Sequence, residues 1–423
     1  MTVPRKICVI GLGYIGLPTA SLLATKGFDV QGVDINPRVV ETIASGGIHI
    51  AEPELDVLVK SAVQSGRLRV STSVEPADIF ILAVPTPFRE GFRPDLSYVE
   101  AATRNLAPQL AVGNLVILES TSPVGTTEHV AQWLGEERPD LQLPHASSYA
   151  ATDSRADIRV AHCPERVLPG QILRELVGND RIVGGVDEAS TEAAAEFYHQ
   201  FVSGEVLTTN SRTAELTKLT ENTFRDVNIA LANELSLICD RLDVDVWELI
   251  DLANHHPRVS ILRPGPGVGG HCIAVDPWFI VDSAPEQAHL IRVARERNDA
   301  KPGFVMQRTA SRAARIKDPV IACLGLAYKA DIDDLRESPA LQITRRLAEE
   351  RIGRILAVEP NIARAPVCLD ELDVRLTRIE EALRQADIIV ALVAHREFRR
   401  IPSNRLQEKI LVNVCGLWRE GRL

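Results

Sequence analysis

The apolar run Ile7–Ile10 opens directly into GLGYIG, which sets Gly11, Gly13 and Gly16 in a G-x-G-x-x-G spacing. A stretch suited to a helix follows at 14–26, and a second run, FDVQGVD, ends in Asp34. Few folds admit this succession. A strand that turns through glycines into a helix and then into a second strand is the opening unit of a doubly wound parallel sheet, and its first turn accepts a dinucleotide. The glycines let the backbone approach a pyrophosphate at the helix N-terminus, where N–H groups and the helix dipole meet its charge. The Asp34 carboxylate would accept hydrogen bonds from the adenine ribose and repel a 2′-phosphate, so NAD is expected rather than NADP, with Arg38 a modest counterweight.

Strand and helix patterns alternate to about residue 200. ADIFILAVP, NLVILEST, ADIRVAHCPER and DRIVGG read as strands with polar residues at their C-terminal ends, which face the ligand crevice of an open parallel sheet. Stretch 144–155 reads as a mobile connection. From about 210 the pattern turns helical, and residues 211–242 carry an apolar stripe at three- and four-residue spacing without an internal Gly or Pro. Beyond Pro319 alternation resumes in VIACLGLAY, RILAVEP, ADIIVALVAH and KILVNVCG, but the first turn of this part, GLAYKADIDDLRES, lacks the glycine fingerprint and should hold a different ligand. The expected architecture is α/β: Rossmann-like doubly wound domains at 1–205 and 317–423, joined by a central helical domain at 206–316 with one long helix.

Composition removes several classes of function. With 423 residues the chain can build two or three cores. A net charge of −10 argues against nucleic acid or an anionic membrane as a general partner. No apolar run reaches the length of a membrane span and a core strand begins within a few residues of the start, so a cytoplasmic protein is expected. The cysteines number seven, an odd count with no metal-type pairing, which suits free thiols and no metal site.

Four places carry candidate chemistry. In PGPGVGGHCIAVDPWF, Cys272 closes a glycine run and precedes Asp276 by four residues; it is either a presented nucleophile or a buried thiol beside a structural turn. On the long helix, Lys218 and Asn222 fall at i and i+4 on one face, either a solvated pair or a cation and an amide that polarise a reacting oxygen. ESTSPVGT sets Thr121 and Ser122 just past a strand. HCPERVLPG does the same for Glu165, whose apolar, proline-bounded loop would raise its pKa towards acid/base work, while Cys163 before Pro164 is the rival thiol and reads as structural.

Taken together, GLGYIGLP, VPTPF, ESTSPVGT, CPERVLPG, ELTKLTEN, GVGGHC and DDLRESPA, spread over essentially the whole chain, resemble the UDP-glucose/GDP-mannose dehydrogenase family of nucleotide-sugar 6-dehydrogenases. The resemblance implies a four-electron oxidation of a sugar C6 hydroxyl to a carboxylate, using two NAD per cycle. Cys272 would hold C6 as a thiohemiacetal and then a thioester. Lys218 and Asn222 would stabilise the oxyanion, Asp276 would orient water or tune Lys218, and Glu165 and Thr121 would handle water and protons. NAD would contact Gly11, Gly13, Tyr14, Ile15, Gly16, Asp34, Pro85, Thr86, Thr121 and Arg336. The UDP-sugar would contact Glu165, Arg166, Val167, Lys218, Asn222, Gly269 and Lys329, with Arg258 reaching a partner's site in a homodimer built through the central helix. The Pro-rich segment 263–267 could shift the loop that carries Arg258.

The longer segments CPERVLPGQ, NSRTAELTKLTEN, RVSILRPGPGVGGHCIAVDPWFI and IDDLRESPA resemble most the family members that act on UDP-N-acetyl-D-mannosamine, with UDP-GlcNAc and UDP-glucose as alternatives. The product would then be a uronate for surface polysaccharide synthesis. Two other classes share part of the pattern. A two-electron β-hydroxyacid dehydrogenase would not need Cys272 or a second α/β domain, and a non-catalytic NAD-binding protein would not need Lys218, Asn222 and Cys272 together.

Overall fold

The computed structural model describes residues 5–50, 52–145, 156–168, 170–270 and 272–418, so the connection expected at 144–155 lies outside them beyond His145. The chain forms two compact units, Met1–Thr220 and Glu221–Leu423.

In the first unit, β1 (Lys6–Ile10), β2 (Asp29–Val33), β3 (Leu68–Ser71), β4 (Ile79–Leu82), β5 (Leu115–Leu118), β6 (Arg159–His162), β7 (Arg181–Gly185) and β8 (Val206–Asn210) form one sheet, in the order β3-β2-β1-β4-β5-β6-β7-β8. Alternate residues of β1 point to opposite faces, as strand geometry requires: Ile7 and Val9 enter one core, Cys8 and Ile10 the other. Strand order reverses at β1, where an open α/β sheet parts its loops into a crevice. One pairing departs from the parallel expectation: β7 runs antiparallel to β6, with Ala161 opposite Gly185. The chain leaves β6 and re-enters β7 at the same end, which keeps segment 163–180, with Glu165, at the C-terminal edge of β6.

The helix Ser211–Leu242 matches the expected span and runs from the first unit into the second. Its buried stripe is not purely apolar, for Glu215, Thr223, Asp226 and Asn233 alternate with Ala214, Leu219 and Ala230. Buried polar groups persist where they are paired, and Glu215, Asp226 and Asn233 are. Within the second unit Arg295, on the helix His289–Ala313, pairs with Asp226 at 2.5 Å. Asn298 Nδ2 donates to Asp226 at 2.8 Å, and Asn233 donates to Asn298 at 2.9 Å.

The second unit also holds a parallel sheet of β9 (Val320–Leu324), β10 (Arg354–Val358), β11 (Arg375–Leu376), β12 (Ile388–Ala391) and β13 (Ile410–Asn413), ordered β11-β10-β9-β12-β13. Four of these strands match the four sequence runs. The two-residue β11 is additional, too short to leave a pattern. Along β12, Ile388 and Val390 enter one core and Ile389 and Ala391 the other.

Candidate active site

The first unit forms the expected dinucleotide turn. Gly11 has a φ of 92°, and a Cβ there would lie 2.6 Å from the Ala83 carbonyl oxygen; at Gly16 it would lie 1.8 Å from that of Gly11. Both positions need glycine so that β1, β4 and the helix Gly16–Thr25 can close together. Gly13 is different: no atom lies within 4 Å of its added Cβ, so its backbone faces open space where a pyrophosphate would sit. Tyr14 is exposed and Ile15 partly buried beside it. Asp34 accepts the Leu12 N–H at 3.0 Å and the Asn36 N–H at 2.9 Å, which fixes the carboxylate and leaves acceptor capacity for a ribose. Ile35, 84% exposed, offers an apolar flank beside it that the motif did not single out. These residues fit NAD.

Loops from neighbouring strand ends gather in the same unit. Thr86 Oγ1 donates to the Thr121 carbonyl at 2.5 Å, joining the Pro85–Thr86 loop to the one after β5. Glu165 is partly exposed and its Oε1 accepts the Val167 N–H. Burial pushes its carboxyl up to about 7, against the opposing pull of Lys218 and Arg181. Arg166 donates to the Asp180 carbonyl at 3.2 Å and accepts from Asn179 Nδ2 through its own carbonyl, tying the loop to the start of β7. Cys163 is fully buried and its thiol is pushed up to about 12, chiefly by burial, which leaves it no part as a nucleophile.

Three carboxylates that the sequence did not mark hold these loops. Glu52 accepts the N–H groups of Gly170 and Ile172, both at 2.8 Å, and so pins the far end of the Glu165 loop. Glu215 accepts the N–H groups of Gly125 (2.6 Å) and Thr127 (2.7 Å) and the Thr127 hydroxyl (2.6 Å), at the N-terminus of the helix Thr126–Glu137. Beneath Cys163, Glu119 accepts from the Tyr198 hydroxyl at 2.7 Å, and the Arg181 guanidinium lies 5.6 Å from the Tyr198 ring centre. Only Glu215 had a legible signal, an acidic residue on the buried stripe of a helix.

In the second unit, Cys272 is exposed whereas Cys239 and Cys323 are buried. The Cys272 carbonyl accepts the N–H groups of Val275 (3.0 Å) and Asp276 (2.9 Å), so the thiol sits at the entry to the helix Asp276–Ser283. Asn222 Nδ2 donates to Asp276 Oδ2 at 2.5 Å, which gives the mid-helix asparagine its partner and ties the long helix to the cysteine loop. That loop is held elsewhere too, since Gly265 N–H donates to Asn233 at 2.9 Å. At Gly269 a Cβ would lie 2.4 Å from the Glu337 carbonyl, and at Gly270 3.0 Å from the Tyr328 ring, so the glycine run lies flat against the segment carrying Lys329 and Arg336. Lys329 is exposed, and Arg336 forms an ion pair with Asp334 at 2.6 Å. Arg258 stands on an exposed turn, its N–H donating to His256 Nδ1 at 3.3 Å.

Three stretches of the chain match models of one family: residues 5–202 its NAD binding domain, 212–300 its central domain and 322–420 its UDP binding domain. A protein of Ralstonia nicotianae described as an NDP-N-acetyl-D-galactosaminuronic acid dehydrogenase is 58% identical over 419 residues, 99% of this chain and 97% of that one. A UDP-N-acetyl-D-mannosamine dehydrogenase of Campylobacter jejuni is 56% identical over 404 residues, 95% of this chain and 98% of its own. Among solved structures, a UDP-D-ManNAc dehydrogenase from Pyrococcus horikoshii matches with a TM-score of 0.85 at 41% identity, covering 98% of this chain and 96% of that one. The chain belongs to the UDP-glucose/GDP-mannose dehydrogenase family of NAD-dependent oxidoreductases.

Proposed function

We propose that the protein oxidises C6 of UDP-N-acetyl-D-mannosamine to the uronate, in two two-electron steps through a thioester on Cys272. The observation that carries this reading is the exposed Cys272 at the entry to a helix whose first residue, Asp276, is bonded to Asn222. An enzyme that stops at an aldehyde has no need of a presented thiol.

NAD, when bound at the Gly11–Gly16 turn, supplies the hydride acceptor for each oxidation. The chain's own residues do the rest. Lys218 and Asn222, four residues apart on one rigid helix, stabilise the negative charge that develops on the C6 oxygen. The Cys272 thiolate adds to the C6 aldehyde to form a thiohemiacetal. Loss of hydride from that carbon gives the thioester, and water then adds, releasing the carboxylate and restoring the thiol. Glu165, with its raised pKa, takes and returns the proton of the water, and Thr121 orients it. Asp276 holds Asn222. Arg166 and Val167 lie with Glu165 on the substrate side, Gly269 lets the cysteine loop approach the sugar, Lys329 receives the uridine diphosphate, and Arg336 reaches the NAD pyrophosphate.

The mannosamine reading is supported by relatives of that name at 53–56% identity and by the structural match. A second reading, the galacto-configured N-acetylhexosamine, is favoured by the Ralstonia relatives at 57–58%. UDP-ManNAc, UDP-GalNAc, UDP-GlcNAc and UDP-glucose assayed together, with the acid product identified by mass spectrometry, decide between them. Preferred turnover of UDP-ManNAc supports the proposal; preference for another sugar overturns the specificity and leaves the chemistry standing.

We further propose a cytoplasmic homodimer. Phe224, Leu231 and Ile238 are 64%, 49% and 46% exposed at seven-residue spacing on the long helix. An apolar seam of that period fits a second copy of the same helix, and Arg258 would then reach the partner's site. Light scattering reads the mass directly, and a monomer at micromolar concentration would rule the arrangement out. Among the described residues no helix is long and apolar enough to cross a membrane.

A further inference from the structure

The turn after β9 repeats the backbone of the dinucleotide turn after β1. Gly325 has a φ of 97° against 92° for Gly11. Gly325 N–H donates to the Val358 carbonyl at 2.8 Å, as Gly11 N–H does to that of Val33. Leu326 N–H donates to Glu359 at 2.8 Å, as Leu12 N–H does to Asp34 at 3.0 Å. Each carboxylate directly follows the second strand of its sheet, so Glu359 stands where an acidic residue would read a ribose.

Its surroundings exclude that use. The Glu359 side chain is fully buried and its two oxygens accept five hydrogen bonds: from Leu326 N, Ala327 N and His395 Nε2 on one, and from Asn361 N and Nδ2 on the other. Burial would raise this carboxyl, but the bonds from His395 and the backbone outweigh it and hold the pKa below the usual carboxylate value. His395 is buried as well. Its Nδ1 accepts the Asp331 N–H at 2.9 Å, so the ring carries its proton on Nε2 and donates it to Glu359 at 3.0 Å. Asp331 in turn accepts the Arg396 N–H at 2.9 Å. Residues 326–331, with Lys329 at the exposed crest, are therefore fastened at one end by Glu359 and at the other by His395.

We infer that Glu359 and His395 are positioning residues that convert a dinucleotide-type turn into a rigid support for a single nucleotide diphosphate, by turning the ribose-reading carboxylate inward to hold the Lys329 loop. The inference rests on Lys329 receiving the uridine diphosphate, as proposed above.

The test is calorimetric titration of the full-length protein with UDP, comparing His395→Phe, His395→Gln, Asn361→Ala and Lys329→Ala with the wild type. Phe fills the space of the ring without either hydrogen bond, and loss of a bond to a buried charged group corresponds to roughly tenfold or more in affinity. We expect His395→Phe to weaken UDP by that factor and to raise KM for the UDP-sugar more than it lowers kcat, with NAD affinity unmoved. Gln, which keeps one donor and one acceptor, should recover part of the loss, and Asn361→Ala should cost a few-fold. If Lys329→Ala weakens UDP while His395→Phe only lowers the melting temperature, the pair is merely structural and the inference fails. If His395→Phe does not fold, Asn361→Ala carries the decision, and wild-type affinity there counts against the inference. Unchanged affinity in Lys329→Ala removes the reading of Lys329, and the inference with it.

Discussion

Replacing Arg295 by Met isolates the energetics of the helix pair that supports the cysteine loop. The Arg295 and Asp226 side chains are 1% and 0% exposed and lie 2.5 Å apart. Removing the guanidinium strands a buried carboxylate with Asn298 as its remaining hydrogen-bond donor. Breaking a buried pair on one side costs about 3–5 kcal/mol. For a unit of this size each kcal/mol shifts the melting temperature by roughly 2–4 °C, so a drop of about 6–20 °C is expected. The sign of the pH dependence is a second signature. Burial already raises the Asp226 carboxyl, and Arg295 is first among the groups that oppose the rise. Without Arg295 the folded-state pKa climbs further above its unfolded value. A raised folded-state pKa gives stability that is complete below the unfolded pKa and is lost as pH rises, at about 1.4 kcal/mol per unit. The deficit of the variant should therefore be smaller at pH 5.5 than at pH 8 in calorimetric melts, and adding Asp226→Asn should restore part of the loss at pH 8. A variant melting within a degree or so of the wild type, or a deficit that ignores pH, would refute the reasoning.

Three further outcomes follow from the first unit. Because burial pushes the Glu165 carboxyl up to about 7 and it acts as a charged base in the proposed mechanism, kcat should rise with pH through that value, and Glu165→Gln should remove this limb of the profile while NAD still binds. Asp34→Ala should weaken NAD by about tenfold, the worth of a hydrogen bond to a charged group, and narrow the preference over NADP; an unchanged ratio in a fluorescence titration argues against ribose contact. Glu215→Ala should cost about 2–4 kcal/mol in denaturant melts, because three donors at the start of the helix Thr126–Glu137 lose their acceptor.

How far the sequence announced this structure depends on how local each decision was. The turn Gly11–Gly16, Asp34 and the span of the long helix were legible because strand, glycines and helix follow one another within one stretch of chain. The direction of β7 was not, since DRIVGG has the same apolar pattern whether it runs parallel or antiparallel. Buried polar residues were harder still. Asp226 and Asn233 sit on a helical stripe where they look misplaced, and their partners Arg295 and Asn298 lie more than 60 residues away. Glu359 and His395 each read as lying at the end of a strand run, RILAVEP and ADIIVALVAH; only the folded turn reveals that they meet. Cys272 was visible as a candidate, while its exposure, against the burial of Cys163, took the structure to establish.

The most direct test of the proposed chemistry counts NADH released per nucleotide sugar consumed, with wild type and Cys272→Ser measured side by side. The account predicts two NADH per UDP-sugar and a uronate product for the wild type, and no uronate from the serine variant while it still binds NAD. One NADH per sugar, or normal acid production by Cys272→Ser, would contradict it and return Cys272 to a structural thiol.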